Sequence, residues 1–139
     1  MKTGKLTNAQ YQKLKRHFSK TNGFEWSMDD FIKSTVISIP HGFVVLDIYD
    51  EVEELPRFGN LTFIYVDEKY RGQGIGAKLY RKTIEYFKSE SLSEFYLTIA
   101  YNNPKSLALA FKFKADVYEF CTYFSNGMPG YNIKIKTNQ

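Results

Sequence analysis

The sequence predicts one α/β (α+β) domain over residues 1–139, with a mixed, mostly antiparallel sheet and one central parallel strand pair. Three observations carry that prediction. Runs rich in β-branched and aromatic residues recur at 35–39, 43–49, 61–66, 95–101, 116–124 and 131–136. The third and fourth runs are joined by a stretch with helical spacing, 75–89, and a helical connection makes two strands parallel. The first two and the last two runs are joined by short turns, Pro40-His41-Gly42 and Ser125-Asn126-Gly127, which send the chain back as hairpins.

Each element has its own signal. Thr7-Asn8-Ala9-Gln10 reads as a helix start, with a capping box from Thr7 to Gln10. Tyr11, Leu14, Lys15 and Phe18 follow at helical spacing, and Asn22-Gly23 stops the helix. No strand is evident before Thr7. Ser27-Met28-Asp29-Asp30 offers a second cap, with Phe31 and Ile32 on a short helix. His41 is a turn residue, and 50–59 is an acidic loop. Leu79, Ile84 and Phe87 mark the apolar face of the helix at 75–89. Pro104 suits the first position of a further helix, because its missing N–H would have no partner there anyway.

Composition narrows the function classes. Aromatic content is high, at 17%, and a chain of 139 residues can bury a single core. No apolar run reaches the roughly 18 residues of a membrane span, so no membrane partner is expected. Met1-Lys2-Thr3-Gly4-Lys5 is not followed by a signal-peptide core. The chain has one cysteine, Cys121, which leaves no disulfide framework and points to a cytoplasmic location. Cys121 itself reads as a buried small residue. Net charge is +4, basic over 1–40, acidic over 41–70 and basic again beyond. Lys and Arg do not interleave with aromatics as in a nucleic-acid module, so no nucleic-acid partner is expected. Lys78, Arg81 and Lys82 read either as an attractor for phosphates or as a solvated helix face.

The segment richest in chemistry is Tyr65-Val66-Asp67-Glu68-Lys69-Tyr70-Arg71-Gly72-Gln73-Gly74-Ile75-Gly76. A strand feeds a glycine-rich loop at a helix N-terminus. Backbone N–H groups without helical partners point outward there, and the helix dipole adds about half a positive charge. Gly72, Gly74 and Gly76 let an anion approach the backbone, so the segment reads as a phosphate site. A P-loop does not fit, because Ala77 stands at its second glycine and Leu79 follows Lys78. The dinucleotide fingerprint matches Gly72, Gly74 and Ala77, but the next strand ends in Tyr101-Asn102-Asn103, with no acid to hold a ribose.

Arg71-x-x-Gly74-x-Gly76 after an apolar strand resembles the pyrophosphate loop of the GNAT N-acetyltransferase superfamily, [RQ]-x-x-G-x-[GA]. The order of elements over roughly residues 28 to 136 is similar too. A looser family pattern, N-x-x-[AS]-x-x-[LF]-Y-x-[KR]-x-G-F, is met at Asn103, Ser106, Leu109 and Lys112. The family's tyrosine position is Ala110, and Lys114-Ala115 stands for its G-F. The resemblance implies a GNAT fold with helices on both faces of the sheet, and acetyl-CoA as cosubstrate. It implies that Arg71, Gly72, Gln73, Gly74, Ile75 and Gly76 hold the pyrophosphate. Tyr65 and Val66 would pair with the pantetheine arm, and Asn103 would lie beside it.

The chemistry so implied is direct transfer of acetyl from acetyl-CoA to an amine-bearing acceptor. An alternative is a GNAT-fold protein that binds CoA or mediates interactions with little transferase activity. In many family members the tyrosine protonates the leaving thiolate, and neither Ala110 nor Phe111 can do so. The strand at 61–66 also lacks the carboxylate that family members often place there; nearby acids are Asp47, Asp50, Glu51, Glu53 and Glu54, all readable as a solvated loop. No catalytic residue is therefore assigned. Trp26 reads as a wall of the acceptor pocket or as core, and Tyr123 as an acceptor-side hydroxyl or as strand packing. A homodimer is compatible with all of this.

Overall fold

The capping box expected at the first helix, α1 (Asn8–Thr21), is formed. The Gln10 N–H donates to Thr7 Oγ1 at 3.1 Å, and the Thr7 N–H donates to Gln10 Oε1 at 3.0 Å. Two amides without helical partners are thereby satisfied. Thr7→Ala should cost about 1 kcal/mol, read as a lower urea midpoint at unchanged slope. The computed structural model describes residues 2–139, without the side chains of Cys121 and Thr122. The expectation for Cys121 lies outside the described residues.

Among the described residues seven strands form one sheet: β1 (Lys2–Gly4), β2 (Thr35–Ile39), β3 (Gly42–Tyr49), β4 (Phe58–Val66), β5 (Glu94–Ala100), β6 (Asp116–Tyr123) and β7 (Pro129–Lys136). Their spatial order is β1-β2-β3-β4-β5-β7-β6, antiparallel throughout except for β4 and β5. Two sequence expectations are corrected. A strand does precede Thr7: β1 pairs with residues 36–38 through its backbone, and its three exposed residues carry no pattern to read. Residues 58 and 59 belong to β4 rather than to the acidic loop, and the strand starts three residues before Leu61. A Cβ at Gly59 would stand 2.5 Å from Cε1 of Phe87. Glycine is needed for that close packing inside a strand.

Helices α2 (Ile75–Ser89) and α3 (Pro104–Phe111) cover one face of the sheet. Their core includes Leu79, Tyr80, Phe87, Phe95, Leu97, Ala110 and Ile133. α1 covers the other face, over Leu14, Phe31, Phe43 and Val45. The short helix expected near Phe31 is a 3₁₀ turn, Met28–Phe31, in which the Asp30 carboxylate accepts the Ser27 N–H at 2.7 Å.

Two features of the middle of the sheet matter for function. The parallel pair is registered only at Gly59↔Phe95 and Asn60↔Tyr96. Beyond those rungs β4 and β5 part, and among the described residues the β5-facing edge of β4 has no further ladder partner. In addition, Val45 pairs with Phe63 while Leu46 pairs with Leu61, so Thr62 is an extra residue in β4. Such a bulge bends the strand and re-aims a side chain.

Candidate cofactor slot and acceptor cleft

The parting of β4 and β5 opens a narrow slot of about 100 Å³. Leu61 through Ile64 line one side, Leu97 through Ala100 the other, and Asn103 and Ser106 close the end beside α3. At the C-terminal end of β4 the chain makes a 3₁₀ turn, Glu68–Tyr70, and then the glycine loop. Gly72 and Gly74 have φ of +80° and +83°, and a Cβ at either would meet nothing within 4 Å. Both need a left-handed backbone, and both leave open space outside it. Gly74 caps α2, so the N–H groups of the first turn face that space. Gly76 has a different reason to be glycine: a Cβ would stand 2.8 Å from Cδ2 of Leu109 on α3.

Residues expected in the site fall into two groups. Arg71, Gly72, Gln73 and Gly74 are exposed at the mouth, with Ile75 turned into the core. Arg71 Nε donates to the Val66 carbonyl at 2.9 Å, and its guanidinium lies 5.6 Å from the centre of the Tyr65 ring. Tyr65 and Val66 thus stand between the loop and the slot, and the slot wall itself is built from the residues before them. Asn103 lines the slot and caps α3, its Oδ1 accepting the Ser106 N–H at 3.3 Å. Of the cations on α2, Lys82 pairs with Glu85 at 3.5 Å, while Lys78 and Arg81 are exposed.

The slot continues into a larger cleft of about 540 Å³ on the α1 face. Trp26 and Tyr123 both border it, 40% and 69% exposed. Trp26 also packs against Phe31 and Phe63, with ring centres at 5.5 and 5.8 Å, so it serves wall and core together. Among the described residues, Glu25 and Asp30 are the charged ones of the lining, and no lysine or arginine belongs to it. The slot and the cleft share Asn22, Leu61, Thr62, Phe63, Thr98 and Phe124. A molecule in one would meet a molecule in the other at these residues.

A family model decides what this arrangement belongs to: that of the acetyltransferase (GNAT) family matches residues 11–113. The chain belongs to the GNAT family. Solved structures of similar shape include a NatC complex bound to Gag peptide and CoA, with TM-score 0.75, 17% identity and 97% of each chain covered. Another is Arabidopsis thaliana NAA60 in complex with acetyl-CoA, with TM-score 0.70, 14% identity, and 97% of this chain and 98% of that one covered. A third is the spermidine N-acetyltransferase SpeG chimera from Vibrio cholerae and hSSAT, with TM-score 0.69, 17% identity, and 99% and 97% covered. These likenesses establish a shared GNAT fold. No curated protein sequence matches the chain.

At the GNAT tyrosine position, Ala110 is fully buried in the core, and the next residue, Phe111, is 52% exposed. Instead, Tyr80 from α2 reaches the slot, with its ring stacked on Phe113 at 5.1 Å. Burial pushes its hydroxyl pKa well up, so it stays protonated. The sequence reading missed Tyr80, and also His17, Asn22, Thr62 and Thr98. Its signals were weak: Thr62 stands between Leu61 and Phe63, Thr98 stands between Leu97 and Ile99, and His17 follows Leu14 by about one helical turn.

His17 lines the slot from α1. Burial lowers its pKa below 6.5; nearby Arg71 and Lys20 add to this, and Glu68 opposes it. The unfolded chain therefore takes up the proton first as pH falls through about 6.5. Stability should decline as pH falls below that point, and His17→Gln should flatten the decline, as measured by urea midpoints at each pH.

Proposed function

We propose that this GNAT protein is an acetyl-CoA-dependent N-acetyltransferase that moves the acetyl group directly onto an amine. The observation that carries the reading is the splayed strand pair with a glycine loop at its open end. An anion such as a pyrophosphate suits the N–H groups at the start of α2. An arm bearing amides suits the unpaired edge of β4, as an added strand would. The Arg71-to-Gly76 loop, Tyr65 and Val66, and Asn103 remain the proposed cofactor contacts. The thioester would then reach the junction with the cleft, where Trp26 and Tyr123 flank the acceptor. Holding amine and thioester together supplies much of the acceleration.

The cleft favours a cationic acceptor. Glu25 and Asp30 offer negative charge, and Trp26, Phe63 and Tyr123 offer ring faces. The solved neighbours include one bound to a peptide and one named for spermidine, so peptide amines and polyamines are the acceptors to try first. The reading takes the 139 residues as one domain. It places the enzyme in the cytoplasm, acting alone or as a homodimer, without nucleic acid or membrane. Among the described residues no helix is long and apolar enough to cross a membrane. A second reading, CoA binding with little transfer, is favoured by the buried Ala110 alone.

Two measurements test the proposal. Calorimetry should detect CoA binding and no NAD binding. Thiol release from acetyl-CoA should then respond to at least one of spermidine, a tetrapeptide with a free amino terminus, and a lysine peptide with a blocked terminus. Binding without release supports the second reading, and no CoA binding overturns both.

A further inference from the structure

An amine at neutral pH is protonated and cannot attack until a proton leaves it. The junction of slot and cleft offers two hydroxyls for that proton, Thr62 and Thr98. Thr98 Oγ1 donates to Asn132 Oδ1 at 2.9 Å, and Asn132 Nδ2 donates to Glu119 Oε1 at 2.7 Å. That path is interrupted, because a carboxamide does not take up a proton on one side and release another in its stable form. The other path has no such break. Thr62 Oγ1 donates straight to Asp47 Oδ2 on β3. Asp47 Oδ1 accepts the hydroxyl of buried Ser34 at 2.5 Å. Asn60 Nδ2 donates to Thr62 Oγ1 at 3.1 Å. A threonine hydroxyl has one proton and two lone pairs. With its proton on Asp47 and one lone pair on Asn60, Thr62 has one lone pair left for the junction.

We propose that Asp47 is the proton acceptor of the reaction and that Thr62 passes the proton to it. The inference rests on the transferase reading. Asp47 borders neither cavity, so it acts through Thr62, which the β4 bulge turns to this place. The acceptor ammonium gives a proton to Thr62 Oγ1 while the Thr62 proton moves to Asp47. The freed nitrogen lone pair attacks the thioester carbonyl carbon. The C–N bond forms, the C–S bond breaks, and its electron pair leaves on the CoA sulfur. The second nitrogen proton goes to that sulfur, and the proton on Asp47 returns to water. Ammonium and acetyl-CoA thus become amide, CoA thiol and one released proton.

The test compares two kinds of nucleophile with the full-length protein at neutral pH. Spermidine and the tetrapeptide arrive protonated; hydroxylamine arrives with its nitrogen already free. In Asp47→Asn and in Thr62→Val, amine turnover relative to hydroxylamine turnover should fall about 100-fold, in line with general-base catalysis. Thr62→Ser, which keeps the hydroxyl, should restore most of it. CoA calorimetry on each variant reports that the fold and slot are intact. An equal loss for both nucleophiles would overturn the relay and show that Asp47 merely holds β3 and β4 in place. So would a parent that acetylates hydroxylamine but no protonated amine, although acetyl transfer itself would stand. A parent that binds CoA and acetylates nothing overturns the transferase reading and the relay together.

Discussion

Gly74→Asp should weaken CoA binding about 1000-fold. Gly74 caps α2 with φ +83° and ψ 6°, and nothing lies within 4 Å of where its Cβ would be. An aspartate there projects its carboxylate into the space where the N–H groups of the first helical turn converge. Facing a pyrophosphate, like charges cost several kcal/mol, and each 1.4 kcal/mol is a factor of ten in affinity. The left-handed backbone adds about 1 to 2 kcal/mol of folding cost, a melting shift of several degrees. Gly74→Ala carries the same backbone cost without the charge, so calorimetry on the pair separates the two effects. Gly74→Ala should keep most of the affinity. Equal affinity in the aspartate and alanine variants would remove the pyrophosphate from this loop.

Phe87→Ala should cost about 3 to 5 kcal/mol of stability, the range for deleting a buried aromatic side chain. Phe87 is fully buried. Its ring stacks on Phe95 at 5.1 Å and fills the place that a side chain at Gly59 would take. Gly59↔Phe95 is one of the two rungs holding β4 to β5. The loss therefore falls on the point from which the two strands diverge. A urea midpoint would report the stability, and Phe87→Leu, which leaves less empty space, should lose less than half as much. If the alanine variant is folded at low temperature, its affinity for CoA should also drop, because the angle of the slot depends on those rungs. A midpoint within 1 kcal/mol of the parent would mean that the ring is not a support of the sheet.

Local chemistry was legible in the sequence. The Thr7–Gln10 capping box involves neighbours four residues apart or fewer, so its residue types are enough to announce it. The Arg71-to-Gly76 loop announces itself for the same reason: left-handed glycines before a helix follow from backbone sterics. Helical periodicity identified the buried faces of α1 and α2, and a helix between two strands required that pair to be parallel. Strand β1 escaped notice because it joins the sheet by backbone pairing, which any side chain permits.

Only the tertiary structure decided where β4 and β5 stop pairing, and therefore where the slot lies. It also decided that Gly76 is small for the sake of Leu109, distant in sequence. Asp47 looked like one acid among several beside an acidic loop. Its link to Thr62 depends on the register of β3 against β4 and on one extra residue in that register. A single-residue change of register moves every following side chain to the other face of a strand. The loop and the helices are therefore properties of short stretches of chain, set by steric limits that act within a few residues. The junction is a property of pairings between residues far apart, and those follow from how the whole core packs.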